Sequence, residues 1–325
     1  MPNEHTLHCC KKFSIQYLRD NVVVFDGGVC DETAPSLNSD VQSWCCHKIF
    51  NGDLEVCNPP SSGMGLIYKQ DMESHPVFIL FPRKDALLIN KDGRDLCAAL
   101  TRVSKKSPNL LRGKGKEVFG NKKYCCVGAK RRRFSSGIEP GHYKFENASS
   151  DDWDCIVSAV KRCEHAFYAY SKTDVIRHIQ KARELVNWET IKFSNTTDDG
   201  SAQIFNGLAF GVNVYLRAHI DEDFTYSVTQ VHLSGVAYQL EDETVCYFCF
   251  PRLGVAVPLK PGDFLLFNAM EYHCVSSRCF GEMELYCISS YLKTAVVGGN
   301  DNSIVLTDGE KKCMYAYDSV KKGGN

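Results

Sequence analysis

The sequence predicts an α+β fold in which β-strands form the core and helices support it. Short apolar runs bounded by Gly, Pro, Asn and Asp recur in residues 13–100 and again in residues 200–295, a pattern typical of strands. Between residues 150 and 190 the apolar positions recur instead at helical spacing. The chain has 325 residues, of which 44% are hydrophobic, so it can bury a core as one large domain or two smaller ones.

In the N-terminal region the apolar runs predict strands at residues 21–25, 77–81 and 86–90. The third run is followed by Lys91-Asp92-Gly93, which we interpret as a turn, and residues 95–102 predict a short helix.

Two helices are predicted between residues 150 and 190. Ser150 is the expected N-cap of the first, with aspartates in its first turn where negative charge suits the helix dipole. The second begins at Thr173 or Asp174 and continues to Val186. We expect both to support the sheet that the C-terminal half predicts.

That half contains a series of apolar runs and one clear turn. Pro261-Gly262-Asp263 is a strong turn signal and separates two of the runs. The predicted strands are residues 208–216, 226–233, 245–250, 264–267 and 284–292.

Two histidines and a carboxylate within this series predict a metal site. His219 and Asp221 are two residues apart, so on a strand both side chains point to the same side. The turn and the following strand would return the chain to His273. Such a 2-His-1-carboxylate set is the facial triad that holds Fe(II) and leaves the opposite face open. The alternative is that the histidines are ordinary polar residues at strand ends.

Residues 200–295, with these three side chains, resemble the double-stranded β-helix (jelly roll) of Fe(II)/2-oxoglutarate dioxygenases. Within that superfamily they are similar to the branch containing the TET and J-binding-protein nucleic-acid base oxygenases and their protist relatives. The resemblance implies that His219, Asp221 and His273 are iron ligands and catalytic residues, with 2-oxoglutarate as co-substrate and ascorbate as an additional reductant.

The resemblance also implies a basic residue that binds the far carboxylate of 2-oxoglutarate, and here the chain departs from the pattern. The strand where the family places that residue, 284–292, contains no arginine. We select Arg278, because a planar guanidinium suits a carboxylate, with Lys293 and Arg217 as alternatives.

Two further residues share the predicted face of His219. Asn213 and Tyr215 precede it by six and four residues, an even spacing on a strand. They are candidates for contact with co-substrate or substrate, and ordinary strand packing is the alternative. Asp223 would share the face of Asp221 and could orient a ligand.

Residues 105–133 are strongly basic in a chain whose net charge is −1. Eleven lysines and arginines stand against one acid, Glu117, so the local net charge is +10. Glycines and aromatic residues are interleaved, which suits contact with a phosphate backbone and stacking on DNA or RNA bases. Lys130–Arg133 could also be a nuclear localisation signal, and a solvated basic loop is the alternative.

The chain has 17 cysteines, an odd number. Its N-terminus lacks the basic-then-apolar order of a signal peptide, so we expect reduced thiols in an intracellular protein, nuclear or cytoplasmic. No apolar run is long enough to span a bilayer. A zinc site is disfavoured by spacing, and Cys246 and Cys249 would face opposite sides of a strand. The weaker zinc candidates are Cys30, Cys45, Cys46, His47 and Cys57.

We therefore expect four regions: an N-terminal α+β region (1–104), a basic Gly-rich segment (105–149), helices with the double-stranded β-helix core (150–297) and a tail (298–325). The expected function is a dioxygenase acting on a nucleic-acid base such as 5-methylcytosine or thymine. A prolyl or other protein side-chain hydroxylase of the same superfamily is the alternative, and so is a catalytically silent barrel that binds a partner.

Overall fold

The computed structural model describes residues 14–18, 22–26, 54–57, 66–69, 77–81, 86–105, 123–134, 137–142, 149–169, 193, 205–213, 219–221, 226–233, 243–269, 271–277 and 284–292. The helices are α1 (Ala86–Lys105) and α2 (Ser150–Ala169), with a 3-10 turn at Pro251–Leu253. The strands are β1 (Ser14–Leu18), β2 (Val22–Asp26), β3 (Glu55–Val56), β4 (Leu66–Lys69), β5 (Phe78–Phe81), β6 (Lys123–Phe134), β7 (Gly137–His142), β8 (Gly207–Val212), β9 (Tyr226–Leu233), β10 (Cys246–Phe250), β11 (Val255–Leu259), β12 (Phe264–Asn268), β13 (Cys274–Ser277) and β14 (Leu285–Tyr291).

These strands form two sheets. The large sheet has the order β1-β2-β4-β5-β12-β9-β14-β8-β6-β7, and the small sheet has the order β13-β10-β11-β3. Neighbouring strands are antiparallel except for the pairs β2–β4 and β11–β3. Strands from the first hundred residues therefore continue the same sheet as the C-terminal strands, through the pairing of β5 with β12.

Alternating side chains give the large sheet two apolar faces. On β12, Leu265 and Phe267 join residues of the small sheet in one buried cluster, while Leu266 belongs to a second cluster. That second cluster also contains the apolar faces of α1 and α2, such as Leu100 and Val160. The protein is thus a β-sandwich with helices on one side, consistent with the predicted α+β class and jelly-roll core.

One prediction for the N-terminal region was wrong. Residues 86–90 were expected to form a strand ended by a turn, but they begin a helix that runs through Gly93 to Lys105. A short apolar run does not distinguish a strand from a buried helix. The later apolar residues, Leu96, Leu100 and Val103, recur at helical spacing and pack against α2 and the sheet.

The residue predicted to cap the N-terminus of α2 was also wrong. The N-cap is Ser149 and not Ser150, because the hydroxyl of Ser149 accepts the hydrogen bond from the Asp152 amide (3.2 Å). The Asp152 carboxylate in turn accepts a hydrogen bond from Nε of Arg102 on α1 (2.9 Å). This pairing ties the two helices together at the end of α1.

A chain of buried polar groups joins the helices to the sheet. Gln230 on β9 donates to the sulfur of Cys163 on α2 (3.3 Å), and its Oε1 lies 3.0 Å from Nε2 of His232. Burial lowers the pKa of His232 to about 4, so its ring is neutral. Gly93 of α1 packs directly on this ring, and a Cβ there would collide with Nδ1.

Several predicted elements lie outside the described residues: the second helix at 173–186, the end of the 208–216 strand and the tail from 298 onward. Residues 106–122 of the basic segment do as well. Neither described helix is long and apolar enough to cross a membrane.

We expect Gly93→Ala to destabilise the protein, although an alanine normally stabilises a helix interior by about 1 kcal/mol relative to glycine. The new methyl group would push against His232, and overpacking of this kind costs roughly 1–3 kcal/mol. Chemical denaturation of the wild type and the variant measures the difference. Replacing His232 by Ala removes the clash. In that background, Gly93→Ala should therefore no longer lower the free energy of unfolding. A stabilising Gly93→Ala would contradict the packing described here.

Candidate metal centre

Backbone pairing brings the three predicted ligands together. His219 and His273 form an isolated antiparallel bridge, in which each amide donates to the other's carbonyl (2.9 and 3.0 Å). The amide of Asp221 donates to the carbonyl of Ala269 (3.0 Å), in the connection between β12 and β13. The segments carrying the ligands are therefore held edge to edge.

The turn that precedes β12 helps to position His273. Asp263 caps the predicted Pro261-Gly262-Asp263 turn, because its carboxylate accepts the amide of Lys260 (2.8 Å). Gly262 has φ of 89°, a left-handed conformation that favours glycine, and its amide donates to Val231 on β9 (2.9 Å). This contact sets the register of β12 against β9, and β12 leads to His273.

The ligand atoms converge on one point. Nε2 of His219 lies 3.4 Å from one Asp221 oxygen, and Nε2 of His273 lies 3.5 Å from the other. All three candidate atoms lie within 4.8 Å of one another. Ligand atoms about 2.1 Å from a first-row metal and roughly at right angles would be about 3 Å apart, so the two imidazole–carboxylate distances are close to those that a shared cation requires. Among the described residues this is the one His/Cys/Asp/Glu group that could hold a metal.

The tautomer of His273 is suited to metal binding. Its Nδ1 lies 2.7 Å from the carbonyl oxygen of Glu271, which can only accept, so Nδ1 carries the proton. In the neutral ring, Nε2 then presents its lone pair towards Asp221. A lone pair and a carboxylate oxygen repel each other unless a proton or a metal cation lies between them. The geometry therefore creates a place for positive charge.

Asp221 is held ionised. Burial disfavours its charged form, but when a proton occupies the facing nitrogens of His219 and His273 these rings donate hydrogen bonds that outweigh burial and hold the pKa of the Asp221 carboxyl well below its usual range. The carboxylate is thus ready to bind a cation.

One side of the site is closed and the other is open. The side chain of His273 is 3% exposed, whereas those of His219 and Asp221 are 28% and 37% exposed. Phe248 stacks on the His273 ring at 5.2 Å and Phe267 meets it edge-on at 5.0 Å. A metal here would have an apolar wall behind it and free coordination positions towards solvent.

Phe248 and Phe267 were not singled out from the sequence, where they read only as members of apolar runs. Both belong to the cluster between the two sheets. The alternation of side chains along a strand places them on the inner faces of β10 and β12. This alternation is the sequence pattern from which their position beside the site could have been predicted.

Asn213 has a contact that the sequence did not predict. Its φ is 52°, and its side-chain oxygen accepts the amide of Leu285 (2.8 Å) while its own amide donates to the Leu285 carbonyl (2.9 Å). It joins the end of β8 to the start of β14. A role for Asn213 in binding co-substrate stays a prediction.

The remaining site candidates, Tyr215, Arg217, Asp223, Arg278 and Lys293, lie outside the described residues. The zinc candidates do so as well, except for Cys57, which is buried. Cys246 and Cys249 lie three residues apart on β10 and thus on opposite faces, as expected.

The chain is similar to several solved structures. One is NgTET1 in complex with 5mC DNA, with a TM-score of 0.48 and 12% identity over 81% of this chain and 92% of that chain. A Pseudomonas putida prolyl-4-hydroxylase has a TM-score of 0.36 and 13% identity over 67% and 92% of the two chains. A Burkholderia pseudomallei oxidoreductase of the 2OG-Fe(II) oxygenase family has a TM-score of 0.34 and 12% identity over 66% and 84%. No protein-family model and no curated protein matches the sequence.

We expect the protein to bind one Fe(II) per chain, and His219→Ala, Asp221→Ala or His273→Ala to weaken that binding at least about 100-fold. Each substitution removes one of three converging ligand atoms. Anaerobic calorimetric titration with Fe(II) measures the effect. The matched control is His232→Gln, which removes a buried histidine outside the cluster and should leave iron affinity unchanged. Equal affinity in the wild type and the Asp221 variant would contradict the assignment.

Proposed function

We propose that this chain is an Fe(II)- and 2-oxoglutarate-dependent dioxygenase that oxidises a nucleic-acid base. The observation that carries the proposal is the cluster of His219, Asp221 and His273, closed behind by Phe248 and Phe267 and open in front. Two imidazoles and one carboxylate on a single face are the ligand set of non-haem Fe(II) oxygenases.

When bound, the iron would supply oxygen activation coupled to the oxidative decarboxylation of 2-oxoglutarate, and thereby hydroxylation of a C–H bond. The protein's own residues have simpler tasks. Asp221 and the two histidines hold the cation, and the Glu271 carbonyl keeps the His273 proton on Nδ1 so that Nε2 can bind. The two phenylalanines exclude water behind the site and fix the plane of the ring.

The co-substrate needs an open face and an anchor. The exposed sides of His219 and Asp221 leave space for a bidentate ligand. On β14, Leu285 and Cys287 pack against the cluster between the sheets, and Ser289 shares their face by alternation. None of these is basic, so we assign the carboxylate anchor to Arg278, with Lys293 and Arg217 as alternatives.

The choice of a nucleic-acid base rests on the basic residues of β6. The first half of β6 pairs with β8 in the large sheet, and residues 129–134 pair with β7. Lys130–Arg133 therefore lie on the β6–β7 strand pair at one edge of the large sheet. A two-stranded ribbon of this kind can enter a major groove or follow phosphates.

Phosphate contacts would serve the chemistry directly. A base in a duplex must leave the stack to reach an iron inside a sandwich, and the strand must be held while it does so. Bases with an oxidisable methyl group, such as 5-methylcytosine or thymine, fit this chemistry. The intact ligand set argues against a silent barrel, and a protein side-chain hydroxylase is the alternative that the experiments below distinguish.

We expect the Fe(II)-loaded protein to decarboxylate 2-oxoglutarate, and Arg278→Ala to raise the KM for 2-oxoglutarate roughly tenfold or more without changing iron affinity. Loss of the guanidinium removes a charge-assisted hydrogen bond to a carboxylate. Succinate release at varied 2-oxoglutarate concentrations measures the change. The control is Arg252→Ala, since the Arg252 guanidinium lies over the Tyr272 ring at 4.8 Å. An unchanged KM in the Arg278 variant would move the anchor to Lys293 or Arg217.

We expect binding to DNA or RNA oligonucleotides to weaken steeply with salt, in proportion to the phosphates contacted. Replacing Lys130, Arg131, Arg132 and Arg133 by Gln should reduce the slope of log K against log salt by up to about 3–4 while leaving iron affinity intact. Fluorescence anisotropy with single- and double-stranded probes measures the slope.

Lys260→Gln, on the turn between β11 and β12, is the control and should leave the slope unchanged. An absence of affinity for any nucleic acid, together with turnover stimulated by a peptide, would reverse the substrate assignment in favour of the protein hydroxylase.

A further inference from the structure

Two cysteines meet in the interior of the sandwich, apart from the metal cluster. Cys246 begins β10 in the small sheet, and Cys287 lies on β14 in the large sheet. Cys246 belongs to the apolar cluster between the sheets and Cys287 packs against that cluster. The two thiol groups hydrogen-bond to each other, so their sulfur atoms face one another across the gap.

One hydroxyl group lies beside the Cys287 sulfur, and a second hydroxyl group holds the first in place. The Thr229 hydroxyl on β9 lies 3.7 Å from it. Ser289, two residues along β14, donates to the same threonine oxygen (3.0 Å), and Thr229 donates to the Ile288 carbonyl (3.2 Å). Thr229 is thus held beside the thiol, and its proton can reach a thiolate only by leaving the Ile288 carbonyl.

This environment favours the ionised form of one thiol. The hydrogen bond from Cys246 and the contact with Thr229 lower the pKa of Cys287 against the opposing effect of desolvation. Two other buried thiols differ: burial raises the pKa of Cys163 to about 12, and it raises that of Cys97 further. Cys287 is also partly exposed, whereas Cys97, Cys163 and Cys246 are buried.

We propose that Cys287 is a peroxide-reactive thiol and that Cys246 is its resolving partner, so that oxidation joins the two sheets by a disulfide. The geometry has the features of a redox-responsive pair: a thiol on a partly exposed residue, a second thiol hydrogen-bonded to it and a hydroxyl group held beside it.

The oxidant is a hydroperoxide, with hydrogen peroxide as the simplest member. The Cys287 thiolate attacks one peroxide oxygen, an S–O bond forms as the O–O bond breaks, and the leaving hydroxide takes up a proton to become water. Cys287 is then a sulfenic acid. The Cys246 sulfur attacks the Cys287 sulfur, an S–S bond forms as the S–O bond breaks, and the hydroxide departs with the Cys246 proton as a second water. Two thiols are oxidised by two electrons and one peroxide is reduced.

The test uses the full chain, with a chelator present so that iron does not react with the peroxide. The protein is treated with about one to five equivalents of hydrogen peroxide, alkylated in denaturant with N-ethylmaleimide, digested without reductant and analysed by mass spectrometry. We expect a linked peptide pair containing Cys246 and Cys287, lighter by two hydrogens than the separate peptides, while Cys97 and Cys163 are alkylated.

Two variants separate the steps. In Cys246→Ser the resolving thiol is missing, so Cys287 should accumulate as a sulfenic acid that dimedone traps. In Thr229→Val the shape is kept but the hydroxyl is lost, so oxidation of Cys287 should slow several-fold. Thr101→Val is the matched control: it removes a hydroxyl that lies 2.6 Å from the Tyr286 hydroxyl on the outer face of β14 and should not change the rate.

The proposal is overturned if peroxide leaves Cys246 and Cys287 alkylated, or if Cys287 is linked to a different cysteine. It is also overturned if the linked pair forms at the same rate in Thr229→Val as in the wild type. The mapping in the wild-type protein decides the first two outcomes even where a variant does not fold.

Discussion

The pair of backbone hydrogen bonds between His219 and His273 is the constraint on which the site depends. A bridge of one residue pair aligns two histidines that are far apart in sequence, and the bond from Asp221 to Ala269 places the carboxylate between them. The backbone then sets the direction of the side chains, because two residues that lie directly opposite each other in a bridge project to the same side. The backbone pairing thus brings the three ligand atoms together, as a catalytic cation site requires.

The rest of the sandwich holds this bridge in place. The Gly262 amide sets the register of β12 against β9, and β12 brings the chain to His273. Phe248 and Phe267 support the imidazole from the two sheets. On the far side of the large sheet, Gly93 allows α1 to approach His232, so the helices brace the sheet that carries the site. The positions of the metal ligands therefore depend on the register of the strands and on the packing of the core.

The sequence predicted those features that depend on local pattern. The i, i+2 spacing of His219 and Asp221, the Pro-Gly-Asp turn and the apolar runs at 226–233 and 264–267 are each visible within a few residues, and the structure contains them. Features that depend on tertiary contact were missed. The helix across 86–90 is stabilised by packing further along α1, and the cap by Ser149 differs from the prediction by one residue. The strand character of 123–134 arises from pairing with β7 and β8 and not from its basic composition. The hydrogen bond of Asn213 to Leu285 likewise depends on how β8 and β14 meet.

We propose that His219, Asp221 and His273 hold an Fe(II) with open positions that 2-oxoglutarate occupies. An anaerobic titration of the Fe(II)-loaded protein with 2-oxoglutarate, followed by visible absorption, tests this arrangement. Chelation of the keto acid by Fe(II) should produce a charge-transfer band that saturates at one equivalent per chain and is absent in His273→Ala. Iron that binds at one per chain but gives no band with 2-oxoglutarate, or a band that persists without His273, would contradict the account.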